Sequence, residues 1–144
     1  MEIQVKKLRP QAKLPTRGSA AAAGYDLYAC LEESVVIAPH ATGPVGTGLS
    51  MAFEEGWFAA VFARSGLAMK KGLRPANCVG VCDADYRGEY IVALHNDGEA
   101  PRTVEPGERI AQMILLPCQE LDFTVVEELS ATDRGAAGFG STGR

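Results

Sequence analysis

Val45-Gly46-Thr47-Gly48-Leu49-Ser50-Met51 sets Val45, Thr47, Leu49 and Met51 at every second position over seven residues. A period of two places those four side chains on one face of an extended chain, the pattern of a half-buried strand. Similar short stretches recur on both sides. Ile3, Val5 and Leu8 suggest an opening strand, and Val35-Val36-Ile37 a second. Trp57 to Phe62, Tyr90 to Leu94 and Ile110 to Leu116 are apolar runs, and Phe123-Thr124-Val125-Val126 closes the set. Strands this short, separated by turn residues, predict an all-β sandwich, jelly roll or barrel. One short helix interrupts them: Ser65 can cap its start, Lys70 and Lys71 face its C-terminal dipole, and Gly72 can stop it.

The chain has 144 residues, the size of one domain. Hydrophobic residues make up 47% and charged residues 22%, which supports a packed core and argues against disorder. No apolar run approaches the roughly 18 residues of a membrane helix. Met1 to Lys6 lacks the layout of a signal peptide, so a cytoplasmic protein with no membrane partner is expected. A net charge of −4 speaks against a nucleic-acid partner held by phosphate neutralisation, but permits a small anionic ligand held by local donors. Cys30, Cys78, Cys82 and Cys118 form no CxxC pair and are expected to be reduced thiols, with Cys78 and Cys82 on one face of a strand. Residues 134–144 hold four glycines and a single aromatic, Phe139. The expected organisation is therefore a β domain over 1–133 and a C-terminal arm over 134–144.

Several polar segments stand out against this apolar pattern. Arg64-Ser65-Gly66 precedes the helix candidate, where free N–H groups and a guanidinium fork suit a phosphate, although an ordinary capped helix would look the same. Asp83-Ala84-Asp85-Tyr86-Arg87-Gly88 reads as a hairpin turn, with Asp83 at a strand end where its carboxylate can point inward. Gln112 shares parity with Ile110 and Ile114. A buried amide left unpaired costs about 1–3 kcal/mol, so it needs either a backbone partner or a ligand. Parity also makes Ile110 to Leu116 apolar on both faces, which asks for cover from another copy of the chain.

In order along the chain stand Ala23-Gly24-Tyr25-Asp26-Leu27, Ala63-Arg64-Ser65-Gly66-Leu67-Ala68 and Gly80-Val81-Cys82-Asp83-Ala84-Asp85-Tyr86-Arg87-Gly88-Glu89. Glu108-Arg109-Ile110-Ala111-Gln112-Met113 and Arg134-Gly135-Ala136-Ala137-Gly138-Phe139-Gly140-Ser141-Thr142-Gly143 complete the series. This series closely resembles the five motifs of the trimeric dUTPase family, from about residue 23 to 143. Ala63 departs from the family's usual proline, and Ala137 from its usual glycine. Neither change touches a side chain that does chemistry.

The resemblance implies a jelly-roll-like dUTPase fold, all-β with one short helix, assembled as a homotrimer with composite active sites. It implies hydrolysis of dUTP to dUMP and pyrophosphate, which supplies dUMP for thymidylate synthesis and keeps uracil out of DNA. On this reading Asp83 is catalytic and activates the water that attacks the α-phosphorus. Arg64, Ser65, Gly66 and Gln112 hold the phosphates, and Tyr86 stacks on the deoxyribose and rejects a 2′-hydroxyl. Backbone groups near Val81, Cys82 and Ile91, with Asn77, pair with uracil. Arg134, Phe139, Gly140, Ser141 and Thr142 belong to an arm that closes over the nucleotide. Asp26 reaches Mg2+ through water, the ion being held mainly by the triphosphate. Arg64 and Gln112 are expected from one chain, Asp83 and Tyr86 from a second, and the arm from a third. The dCTP deaminases share this fold, but their catalytic glutamate would fall at or near Ala93, which cannot move a proton.

Overall fold

The computed structural model describes residues 1–138; Phe139, Gly140, Ser141 and Thr142 lie outside the described residues. The expected all-β architecture is borne out. Among the described residues twelve strands form four antiparallel sheets, and one short helix accompanies them. The largest sheet has the order β2 (Thr16–Arg17), β3 (Tyr25–Tyr28), β12 (Arg109–Pro117), β7 (Trp57–Phe62), β9 (Val79–Cys82). A second sheet sets β5 (Thr42–Gly46) against β10 (Ile91–Asn96) and β10 against β8 (Leu73–Pro75). Two-stranded pairs join β1 (Gln4–Lys7) to β6 (Leu49–Ala52), and β4 (Val35–Ile37) to β11 (Arg102–Val104). Leu27, Val45, Leu49, Leu73, Leu94 and Ile110 are fully enclosed in the single core these sheets share.

The alternating stretch 45–51 behaves as its period predicts on one count and not on another. Val45, Thr47, Leu49 and Met51 are all buried. The strand is nevertheless cut in two at Gly48, whose φ of +69° is left-handed. A β-carbon there would lie 2.7 Å from Cys30 Sγ and 2.9 Å from Ala12 Cβ, so only glycine lets the chain turn this corner. Thr47 Oγ1 donates to the Tyr90 carbonyl at 2.7 Å and Ser50 Oγ to the Arg87 carbonyl at 2.8 Å, which satisfies the two polar side chains in the run.

Four other expectations are corrected. Phe123 to Val126 forms no strand; Phe123 and Val125 are 89% and 99% exposed, because no neighbouring strand of this chain pairs with them. Ser65 is the first helical residue and not the cap. Arg64, in an extended conformation, takes the cap position of α1 (Ser65–Lys71) without a side-chain capping bond. Cys78 precedes β9 with φ +61°, so it does not share a strand face with Cys82. Finally, the register of β12 against β3 shifts between Arg109 and Ala111, a bulge that removes Ile110 from the parity of Gln112 and Ile114.

Candidate active site

Two clusters of polar residues form on different parts of the fold. The first grows from the turn between β9 and β10, which lie in different sheets and do not pair with each other, so the expected hairpin is corrected to a turn that crosses from one sheet to the other. Val81 on β9 and Ile91 on β10 are more than half exposed. Asp83 follows the last residue of β9, and the Tyr86 N–H donates to the Asp83 carbonyl at 3.2 Å, closing a tight turn. The Tyr86 hydroxyl then donates to the Glu89 carbonyl at 3.0 Å, and its ring lies 6.1 Å from that of buried Tyr90. Glu89 accepts from the Gly48 N–H at 2.7 Å and from Arg9, which ties the turn to the core.

Together Asn77, Val81, Cys82, Asp83, Tyr86 and Ile91 line one cavity of about 270 Å³. Its apolar walls come from Leu27, Val61, Pro75 and Val92, and Ala93 adds a methyl group. The carboxylate of Asp83 is exposed at this cavity and not turned into the core. Burial pushes the Cys82 thiol above its ordinary range, so the neighbour of Asp83 stays neutral at physiological pH. Tyr90 is likewise raised, chiefly by burial.

The second cluster lies around α1 and the start of β12. Asp26, on β3, is 8% exposed, and each of its oxygens receives one guanidinium. Arg64 Nε donates to Oδ1 at 2.7 Å, and Arg109 Nη1 donates to Oδ2 at 3.1 Å. Gln112 faces Asp26 across β3 and β12 and donates to the Ala63 carbonyl at 2.9 Å. Of the two partners open to this amide, the protein supplies the backbone one. Arg64, Gly66, Leu67, Lys70, Lys71, Glu108 and Arg109 line a shallow cationic cleft here, with Ser65 exposed at its edge. None of the described residues lines both this cleft and the cavity at the β9–β10 turn. Arg134 joins neither; it is exposed, and its Nε donates to the Ala137 carbonyl at 2.9 Å.

The fit of a divalent cation can be judged from Asp26 alone. Each carboxylate oxygen already accepts from one guanidinium. Each oxygen keeps a further lone pair, so a water carried by Mg2+ can still hydrogen-bond to it. Among the described residues no three His, Cys, Asp or Glu side chains converge on a common point. Arg109 was absent from the residues expected at this site; the bulge that aims it leaves no mark on an apolar pattern.

Comparison with known proteins follows this geometry. Residues 10–143 match the family described as dUTPase. Deoxyuridine 5′-triphosphate nucleotidohydrolase from Citrobacter koseri is 47% identical over 148 residues, covering 99% of this chain and 97% of that protein. The protein of the same name from Bordetella avium is 41% identical over 145 residues, with 100% and 97% coverage. Among solved structures, the Staphylococcus bacteriophage 80alpha dUTPase with dUpNHpp superposes with a TM-score of 0.90 at 29% identity, covering 99% of each chain.

Proposed function

This chain belongs to the dUTPase family, and from that premise we propose how its residues divide the work of hydrolysing dUTP to dUMP and pyrophosphate. The enzyme is a dUTP diphosphatase; its product feeds thymidylate synthesis and its activity keeps uracil out of DNA. One observation carries the assignment of residues. The cavity at the β9–β10 turn and the cationic cleft are built from separate residues of one chain, each with half of the chemistry the reaction needs.

The cavity at the β9–β10 turn takes the deoxyuridine. Backbone groups around Val81, Cys82 and Ile91, with the Asn77 side chain, pair with uracil, because main-chain donors and acceptors cannot change sense to suit cytosine. The Tyr86 ring, fixed by its bond to the Glu89 carbonyl, packs on the sugar and fills the space of a 2′-hydroxyl. Asp83 accepts a proton from a water at the mouth of the same cavity. The water oxygen forms a bond to the α-phosphorus while the bond from that phosphorus to the α,β-bridging oxygen breaks. Pyrophosphate departs with the electron pair, and Asp83 holds the proton until solvent takes it.

The cationic cleft of a second copy takes the phosphates. Arg64, with Ser65, Gly66 and Gln112, positions and neutralises the triphosphate, the protein's main task in phosphoryl transfer. Asp26 would hold Mg2+ through water, and the ion would supply charge neutralisation to the triphosphate. The arm over 134–144 supplies Arg134 to the phosphates, with Phe139, Gly140, Ser141 and Thr142 closing over the nucleotide.

A trimer unites the two halves, and the apolar surface supports it. Ile3, Leu14, Tyr25, Trp57, Met113 and Leu115 line an open groove of about 500 Å³, and Leu121, Phe123, Val125 and Leu129 are more than 60% exposed. Apolar surface on this scale marks an interface. No helix among the described residues is long and apolar enough to cross a membrane, and the four cysteines are unpaired, which suits a cytoplasmic enzyme. The direct test is pyrophosphate release from dUTP beside dCTP, dTTP and UTP, with and without Mg2+. Release confined to dUTP and dependent on Mg2+ is expected; equal release from UTP would contradict the role given to Tyr86.

A further inference from the structure

Arg109 is half exposed, stands at the start of β12, and donates to Asp26 Oδ2. Its direction comes from the bulge. Along β12, Met113 faces Tyr25, Gln112 faces Asp26 and Ala111 faces Leu27, but the next partner of Tyr28 is Arg109 and not Ile110. The extra residue reverses the alternation, so Arg109 joins the face that carries Asp26 and Tyr28, while Ile110 drops into the core. A bulge that re-aims one side chain beside a polar site is a device with a purpose.

Asp26 thus divides its carboxylate between two guanidiniums. Arg64 engages it through Nε alone, which leaves the outer Nη groups of Arg64 free to face the cleft among the described residues. A carboxylate offered one guanidinium prefers the parallel two-bond fork, in which an Nη is consumed as well. Arg109 occupies the second oxygen and blocks that fork.

We propose that Arg109 is a positioning residue for phosphate binding: by holding Asp26 Oδ2 it keeps Arg64 singly bonded to Asp26 and its Nη groups pointed at the polyphosphate. The inference rests on the proposed role of Arg64. It gives Asp26 a task separate from any cation, and it requires no direct contact between Arg109 and substrate.

The test compares the affinity of dUpNHpp with that of deoxyuridine, which carries no phosphate, by calorimetry on the intact assembled protein. Arg109→Gln and Arg109→Met should each weaken dUpNHpp roughly tenfold or more, and deoxyuridine less than about twofold. Arg109→Lys should restore most of the affinity, since one ammonium can hold Oδ2. In an Arg64→Ala background, adding Arg109→Met should cost nothing further. Unchanged dUpNHpp affinity, an equal loss for both ligands, or a further loss in the Arg64→Ala background would each overturn the proposal. Unfolding of Gln and Met variants alike, with Lys no better, would mark Arg109 as a purely structural ion pair. Wild-type hydrolysis of dUTP is measured alongside; its absence would strike the function itself, whereas its presence with unaffected variants would strike only Arg109.

Discussion

Gln112 and Gly24 are built to fit one another: a β-carbon on Gly24 would come within 2.6 Å of Gln112 Oε1. The amide is thereby held flat against the backbone, with its Nε2 on the Ala63 carbonyl. Gly24→Ala should displace the end of a flexible side chain, which is cheap for the fold. Tm should shift by no more than about 3 °C, while KM for dUTP rises roughly tenfold. Steady-state kinetics with a melting curve separates the two. A variant that combines Gly24→Ala with Gln112→Ala should be no worse than Gln112→Ala, since the glycine acts only through the amide.

Asp83→Asn preserves the shape of the β9–β10 turn, whose closing bond uses the Asp83 carbonyl and not its side chain. Nucleotide affinity should stay within a few-fold of wild type, while kcat falls by roughly 10²–10⁴. Pre-steady-state binding of dUpNHpp and turnover of dUTP read the two quantities independently.

Asn96 is completely buried and works as a knot. The two hydrogens of its Nδ2 are shared among the carbonyls of Ile37, Ala38 and Ala100, and its Oδ1 accepts from the Gly98 N–H. Asn96→Leu would remove these bonds and strip the buried Ile37 carbonyl of this donor, at a cost of about 2 kcal/mol or more. Urea unfolding should show it as a lower midpoint at unchanged slope.

Tyr90 and Cys82 set the alkaline edge of stability. Both have pKa values raised in the folded state, mainly by burial, so folding favours their neutral, protonated forms. The folded chain therefore holds protons that the unfolded chain releases. The associated stability is fully present below the ordinary thiol and phenol ranges and is lost as pH rises through them. The Tyr90 hydroxyl, moreover, has no hydrogen-bond partner among the described residues. Tyr90→Phe should raise stability at pH 7 by about 1 kcal/mol and flatten the decline above about pH 10, seen as Tm plotted against pH.

What the sequence discloses and what it hides can be traced to particular residues. Apolar runs disclose β7, β10 and β12, because these strands carry apolar residues at most positions. The same pattern misses β3, whose Tyr25-Asp26-Leu27-Tyr28 alternates a buried aspartate with aromatics and looks like a turn. It takes Phe123 to Val126 for a strand because β-branched residues say extended, but pairing needs a neighbour that this chain does not provide. Gly48 is legible as a glycine, yet the crowding by Cys30 and Ala12 that demands it comes from distant sequence. The same limit applies at the site. Asp83, Tyr86 and Asn77 are local to one short segment around the β9–β10 turn and stand out at once, although the hairpin expected there is not formed. The Arg64–Asp26–Arg109 arrangement, by contrast, depends on a bulge, 38 and 83 residues of separation, and three elements meeting.

The division of labour between the β9–β10 cavity of one copy and the cationic cleft of another is tested most directly by mixing two inactive variants. Asp83→Asn and Arg64→Ala proteins are unfolded together, refolded at equal ratio and assayed for pyrophosphate release from dUTP. Where Asp83 and Arg64 of one site come from different chains, roughly one site in four regains both residues, and about a quarter of wild-type activity should return. A mixture no more active than its two components would mean that both residues serve the same site from the same chain.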